Sequence, residues 1–326
     1  MLHSRHFIDQ IQAGQPLDRA DGHIILTAKG AAFTDILAGA HCLKEHAFGE
    51  TIFLCSIINA KSGRCAENCA FCAQSSHFQT STPTYPLKDR QEIVAAAQTA
   101  ALQGSTCFSI VTSGTSPKPG KEFESLLDAL KEIRDTTSIE PSASLGILNE
   151  AKAAALADAG CVTYHHNLET ARSFFPKVCT THDYEEDVNT IKLTKQHGMR
   201  ACCGGILGLG ESLDQRIELA ETLRELNVDS VPLNFLNPIS GTPLAGVQNL
   251  TPLDCLRAVA LFRYFLPEKR ISVCGGRETN LRELQSWIIM AGASGIMVGN
   301  YLTTSGRELQ TDMQLFKDLE TKINGC

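Results

Sequence analysis

From residue 51 onward, short apolar runs rich in β-branched residues alternate with helical patterns, and no other feature of this chain restricts its fold so tightly. The strand-like runs fall at 51–58, 105–112, 139–145, 161–166, 199–206, 229–236, 270–275 and 294–298. Helical periodicity occupies 88–103, 120–134, 149–159, 184–197, 212–226, 252–265 and 279–291. Gly104, Gly160, Gly198 and Gly292 each follow a periodic segment, where a helix ends most easily on a residue free to take positive φ. Strands joined through helices lie parallel, because only a crossover of that length returns the chain to the same end of the sheet. Eight such strands predict an α/β fold, a (βα)8 TIM-type barrel, although an open doubly wound sheet has nearly the same count. Two helical patterns, at 3–13 and 29–47, precede the first strand. The expected organisation is an N-terminal helical extension over 1–48, a barrel over 49–305, and a C-terminal tail over 306–326 packed on the barrel. In a chain of 326 residues that is 43% hydrophobic, such a core needs no disulfides.

The longest stretch without periodicity, 59–87, follows the first strand, and a loop of that length inside a compact domain usually carries function. In a barrel it lies at the C-terminal face, where active sites form. It reads NAKSGRCAENCAFCAQSS and places Cys65, Cys69 and Cys72 at C-x3-C-x2-C spacing. Three thiolates hold three corners of a [4Fe–4S] cube and leave the fourth iron free for a small molecule. Zinc is the alternative; it wants four protein ligands, and His77 is the nearby candidate for the fourth.

The chain has thirteen cysteines, an odd number. The N-terminus shows no signal-peptide pattern and no run is long enough to span a bilayer, so the expected location is the cytoplasm, where disulfides are rare. Cys42, Cys161 and Cys255 sit in apolar patterns and read as small buried hydrophobes; Cys326 has no readable role. A net charge of -7 without Lys or Arg runs argues against nucleic acid as a partner.

Several polar residues fall at strand ends. Asn167 both donates and accepts, which suits a ureido group or a ribose hydroxyl, and Glu169 accepts only, as ribose hydroxyls require. Both also fit a self-satisfied turn. Asn234 alternates with apolar neighbours and points into the barrel, where a buried amide needs partners. Gly204, Gly205, Gly208 and Gly210 permit a flat ring to approach the backbone near Ile206, or simply a tight strand–helix junction. His165 and His166 read as structural strand-end residues.

The cysteine spacing resembles that of the radical S-adenosylmethionine superfamily, in which the methionyl group chelates the open iron and reductive cleavage yields a 5′-deoxyadenosyl radical. Phe71 resembles the aromatic that packs near adenine there. The runs NAKSGRCAENCAFCAQSSHF, YHHNLET (164–170), GGILGLGE (204–211), VPLNFL (231–236), SGTPLA (240–245) and GGRE (275–278) together resemble the biotin synthase family. The resemblance implies sulfur insertion into dethiobiotin. S-adenosylmethionine would lie near Phe71, Asn167, Glu169 and Ile206, and substrate near Asn167 and Asn234. It also implies a flavodoxin or ferredoxin as electron donor, and a homodimer.

The match is incomplete. The family's [2Fe–2S] ligands, three Cys and one Arg, fall here on Ser109, Ser142, Cys202 and Ser272, so one survives. Side chains two apart on a strand share a face, which brings Cys107 and Cys274 into the same interior as Cys202 while Cys203 points outward. Cys107, Cys202 and Cys274 are therefore the candidate ligands of a different auxiliary iron–sulfur cluster. Asp187 stands where the family has an Arg that pairs with the S-adenosylmethionine carboxylate, leaving Arg200 or Arg277 to replace it. The rival readings are a radical enzyme of the same branch without sulfur insertion, as in hydrogenase maturation or methylornithine synthesis, and an iron–sulfur carrier or zinc-stabilised binding protein.

Overall fold

A computed structural model describes residues 3–324; Cys326 lies outside the described residues. The strands are β1 (Thr51–Lys61), β2 (Cys107–Thr112), β3 (Glu140–Ser144), β4 (Thr163–His165), β5 (Arg200–Cys202), β6 (Gly205–Leu207), β7 (Ser230–Phe235), β8 (Arg270–Val273), β9 (Gly295–Met297) and β10 (Lys322–Asn324). All pair in parallel. The pairing of β9 with β1, through Phe53 with Gly295, closes the ring and excludes the open sheet. The sequence run 199–206 is one stave in two pieces, β5 and β6. They part at Cys203 and Gly204 because the chain there presses on its neighbour: a Cβ on Gly204 would stand 2.0 Å from the Pro232 carbonyl oxygen.

The helices are α1 (Ser4–Gln12), α2 (Arg19–Thr27), α3 (Gly30–Phe48), α4 (Arg90–Leu102), α5 (Lys121–Thr136), α6 (Glu150–Asp158), α7 (Tyr184–Gln196), α8 (Leu213–Glu225), α9 (Pro252–Phe265), α10 (Arg277–Leu281), α11 (Trp287–Met290) and α12 (Leu309–Asp318). The four glycines expected to stop helices all have positive φ. Three features differ from the sequence reading. Helix α2 was not expected, although Asp18 and Asp21 form a capping box at its start. The single helix expected over 279–291 is broken, with Arg282 at φ 51 between its pieces. Strand β10, from a segment with little β character, pairs with Thr51–Phe53 at the foot of β1. No helix among the described residues is long and apolar enough to cross a membrane.

Two apolar shells surround the barrel. One joins α1–α3, α8 and α9 to the later strands; there Phe7 packs edge-on against Tyr264, whose hydroxyl donates to the Ile36 carbonyl. The other lies under α4–α6 against β2 to β4. Cys161 and Cys255 are buried in these shells as expected, but Cys42 is exposed because its position on α3 faces solvent. Many inward positions are small: Cys55, Cys107, Ser109, Cys202, Ser230 and Ser272. A barrel filled by Val, Ile and Leu packs shut; this one keeps a cavity of about 730 Å³ running along its axis.

Candidate active site

The cavity opens at the C-terminal ends of the strands onto the cysteine loop. After β1 the chain turns through Gly63 and Arg64, both with positive φ. Cys65 then bridges Ser75: its N–H donates to the Gln74 carbonyl (3.0 Å) and its carbonyl accepts from Ser76 (2.7 Å). Cys72 N–H donates to the Cys69 carbonyl at 2.9 Å. The loop is thereby folded back on itself, with Cys65, Cys69 and Cys72 half-buried along the cavity wall. Burial pushes Cys72 up to about 11 and raises Cys65, while a hydrogen bond with Cys179 (Sγ–Sγ 3.7 Å) and burial raise Cys69 strongly. Three converging thiolates are thus unfavourable in the protein alone and favourable around a cationic metal centre, so the donor set fits an iron–sulfur cluster. His77 is exposed and its Nε2 is engaged by the Ala66 carbonyl (2.9 Å) rather than by a thiol, which leaves the zinc alternative without the fourth ligand suggested for it.

Phe71 and Ile206 lie against one apolar cluster with Phe174, Val178, Leu209 and Leu236, and both line the cavity. The cavity wall also carries a chain of polar contacts that the sequence did not suggest. Glu67 accepts from Thr115, Thr181 and His182 Nδ1 (2.7 Å); His182 Nε2 meets Asp187 (3.3 Å), and Asp187 meets His166 Nε2 (2.7 Å). Because both ring nitrogens of His182 face carboxylates, both must donate. Burial opposes the charge, but Asp187 and Glu67 outweigh it and push His182 up to about 10. Neither arginine proposed to replace the family's Arg serves at this end. Arg277 is buried elsewhere, paired with Asp312 and Gln285, and Arg200 binds Glu140 at the opposite mouth. His182 is the cation that lines the cavity here.

Asn167 and Asn234 share a geometry that fixes the direction of their amides. Asn167 Oδ1 accepts from the Gly204 N–H (3.1 Å) and Asn234 Oδ1 from the Gly275 N–H (2.9 Å). A backbone N–H only donates, so each amide oxygen faces the wall, and the amino groups keep donor capacity for the cavity. Their own protein contacts, to Glu169 and to the Gly205 carbonyl, are long at 3.4 Å. Glu169 takes φ 62, and burial, reinforced by Asp187, pushes it up to about 8. A carboxyl raised in the folded state stabilises the fold below its ordinary range and loses that contribution as pH rises through about 8. Glu169→Gln should therefore flatten the decline in melting temperature of the apoprotein between roughly pH 5 and 8; an identical slope in both chains would contradict this environment.

Deeper in, the cavity is lined by Cys107, Cys202 and Cys274, as the alternation predicts, while Cys203 is fully buried on the outer side. Cys107 Sγ lies 3.2 Å from Ser142 Oγ, which His165 Nε2 also contacts at 3.2 Å. Ser109 Oγ is buried without a hydrogen-bond partner. A buried hydroxyl with no protein partner, in a wall that also carries Cys107, Cys202 and Cys274, suits a second bound group, and these residues fit one. Burial pushes Cys202 up to about 12, and Cys55 on β1 is close enough to add to the effect. Cys55 was not among the expected residues, although it lies on the same face as Ile57 in the first strand run.

Comparison with known proteins gives a consistent picture. Residues 60–230 match the Radical SAM superfamily and residues 232–322 the Biotin and Thiamin Synthesis associated domain. The chain is 60% identical over 298 residues to biotin synthase of Geotalea daltonii, covering 91% of each chain. It is 56% identical over 319 residues to biotin synthase of Syntrophotalea carbinolica, covering 98% of each. Among solved structures, methylornithine synthase superposes with a TM-score of 0.86 at 17% identity, covering 98% of this chain and 97% of that one. The FeFe-hydrogenase maturase HydG from Carboxydothermus hydrogenoformans gives 0.81 at 18% identity, covering 99% and 80%. At such identities the two structures speak for the fold alone.

Proposed function

The chain belongs to the biotin synthase family, and we propose that it inserts sulfur into dethiobiotin by radical chemistry. When bound, a [4Fe–4S] cluster and S-adenosylmethionine supply reductive carbon–sulfur cleavage and the hydrogen-abstracting power that follows, and an auxiliary iron–sulfur cluster supplies the sulfur atom. The chain's own residues hold, orient and seal. Cys65, Cys69 and Cys72 hold the first cluster. Phe71 and Ile206 flank the adenine, and Glu169 with Asn167 meets the ribose. Asn167 and Asn234 donate to the ureido carbonyl of dethiobiotin. Cys107, Cys202 and Cys274 serve the auxiliary cluster. Location in the cytoplasm, a flavodoxin or ferredoxin as electron donor, and a homodimer complete the reading.

The observation that carries this assignment is the shared orientation of two amides, one just beyond β4 and one on β7, both with amino groups available to one cavity that also receives the three loop thiols. An iron–sulfur carrier or a zinc-stabilised binding protein has no use for such donors, and family membership favours sulfur insertion over the other radical reactions of the branch. Anaerobic turnover with dethiobiotin, scoring both biotin and 5′-deoxyadenosine, tests it. Deoxyadenosine release without biotin, under conditions that reconstitute both clusters, would remove the substrate assignment. Asn234→Leu should raise the KM for dethiobiotin by about tenfold, the loss of one buried hydrogen bond. An unchanged KM would place the ureido group elsewhere.

A further inference from the structure

The ladder fixes which interior side chains share a height. Followed from Cys55 to Cys107 and Glu140, then through β4, β5, β7, β8 and β9, the hydrogen-bonded partners return to β1 eight residues before the start. The register therefore falls by one residue per stave, the shear of a (βα)8 barrel. In that geometry inward side chains from alternate strands form tiers of four. Correcting for the fall puts Cys55 (β1), Ser142 (β3), Cys202 (β5) and Ser272 (β8) in one tier; Cys55, Cys202 and Ser272 line the cavity, and Ser142 is fully buried with its Oγ 3.2 Å from Cys107 Sγ. β1 and β5 are opposite staves in the ring, so two thiols face one another across the axis. Cys107 falls half a tier below them, the orphaned Ser109 hydroxyl half a tier above, and Cys274 a full tier above.

We infer that Cys55 is a ligand of the auxiliary cluster, facing Cys202 across the barrel. This rests on the reading that such a cluster is present. Of the three cysteines expected from the sequence, only Cys202 is level with the tier; Cys55 supplies the opposing thiol that a multinuclear cluster on the axis requires, with Cys107 and Cys274 reaching it from below and above. Ligation is a proton exchange: the Cys55 thiol releases its proton and the thiolate sulfur gives an electron pair to iron, with no change of oxidation state.

The test uses the full chain with Cys65, Cys69 and Cys72 all changed to Ala, reconstituted anaerobically with iron and sulfide, so that any remaining cluster is the auxiliary one. Iron and sulfide per chain and the Mössbauer spectrum are read in this parent and with Cys55→Ala, Cys55→Ser or Cys161→Ala added. Cys161 is buried in the outer shell and serves as control. Cluster retention should drop by more than about tenfold with Cys55→Ala, the least that removal of even an outer-shell partner costs. Cys55→Ser, which preserves side-chain volume and so separates ligand loss from a packing defect, should drop it or change the spectrum. Cys161→Ala should match the parent. A parent that holds no cluster would overturn both the auxiliary cluster and this ligand. A loaded parent whose iron, sulfide and spectrum are unchanged by either Cys55 variant would overturn the ligand alone.

Discussion

Cys69→Ala should abolish release of 5′-deoxyadenosine from S-adenosylmethionine, with a loss greater than the roughly 10- to 100-fold that follows from removing an outer-shell partner of a metal site. The loop is tied to itself through Cys65, Ser75 and Gln74 and to the chain beyond α6 through the Ala70 N–H and Val178 carbonyl (2.8 Å), so the alanine chain should fold with the same secondary structure. What disappears is the thiol between the other two in the sequence, and a cube held by two thiolates lacks a corner. Cys179, whose sulfur lies 3.7 Å from that of Cys69, is the thiol placed to stand in, and the double change Cys69→Ala with Cys179→Ala should remove any residual cleavage. Cleavage at the parental rate in the double variant would remove Cys69 from the ligand set. Zinc bound tetrahedrally by the oxygen-free parent, with no visible charge-transfer absorption, would overturn the cluster itself.

Asp312→Ala should cost about 3–5 kcal/mol of stability, because it removes the buried carboxylate that bonds the Arg277 guanidinium and leaves that charge only the more distant, partly exposed Glu278 (3.6 Å). The Asp312 and Arg277 side chains are each 1% exposed. Asp312 lies on α12 and Arg277 begins α10, directly after β8, so the pair fastens the C-terminal segment to the barrel. Arg307 also reaches Asp312 (3.3 Å), and its pairing is lost in the same variant. At about 1.5 °C per kcal/mol for a chain of this size, the melting temperature should fall by roughly 4–7 °C. Replacing both partners, Arg277→Met with Asp312→Leu, should recover most of the loss, since a buried pair exchanged for apolar groups is often near neutral. A melting temperature within a degree of the parent in Asp312→Ala alone would show that the pair is not desolvated as the structure has it.

Alternation of strand and helix, the glycine stops, and three cysteines in eight residues of a polar loop were legible because each is local: periodicity, φ preference and spacing act within a few residues. The inward set Cys107, Cys202 and Cys274 was legible for the same reason, since side chains two apart share a face. The broken helix near Arg282 and the strand β10 were not, because each depends on a partner far along the chain. Nor was the network from Glu67 through His182 and Asp187 to His166, whose members come from the cysteine loop, the stretch before α7, α7 itself and the end of β4. Closure of the ring, the direction of two amides set by the N–H groups of Gly204 and Gly275 in the neighbouring staves' connecting segments, and the tier joining Cys55 to Cys202 were likewise decided only in three dimensions. Strand pairing and shear are properties of the whole circuit, and no window of sequence contains them.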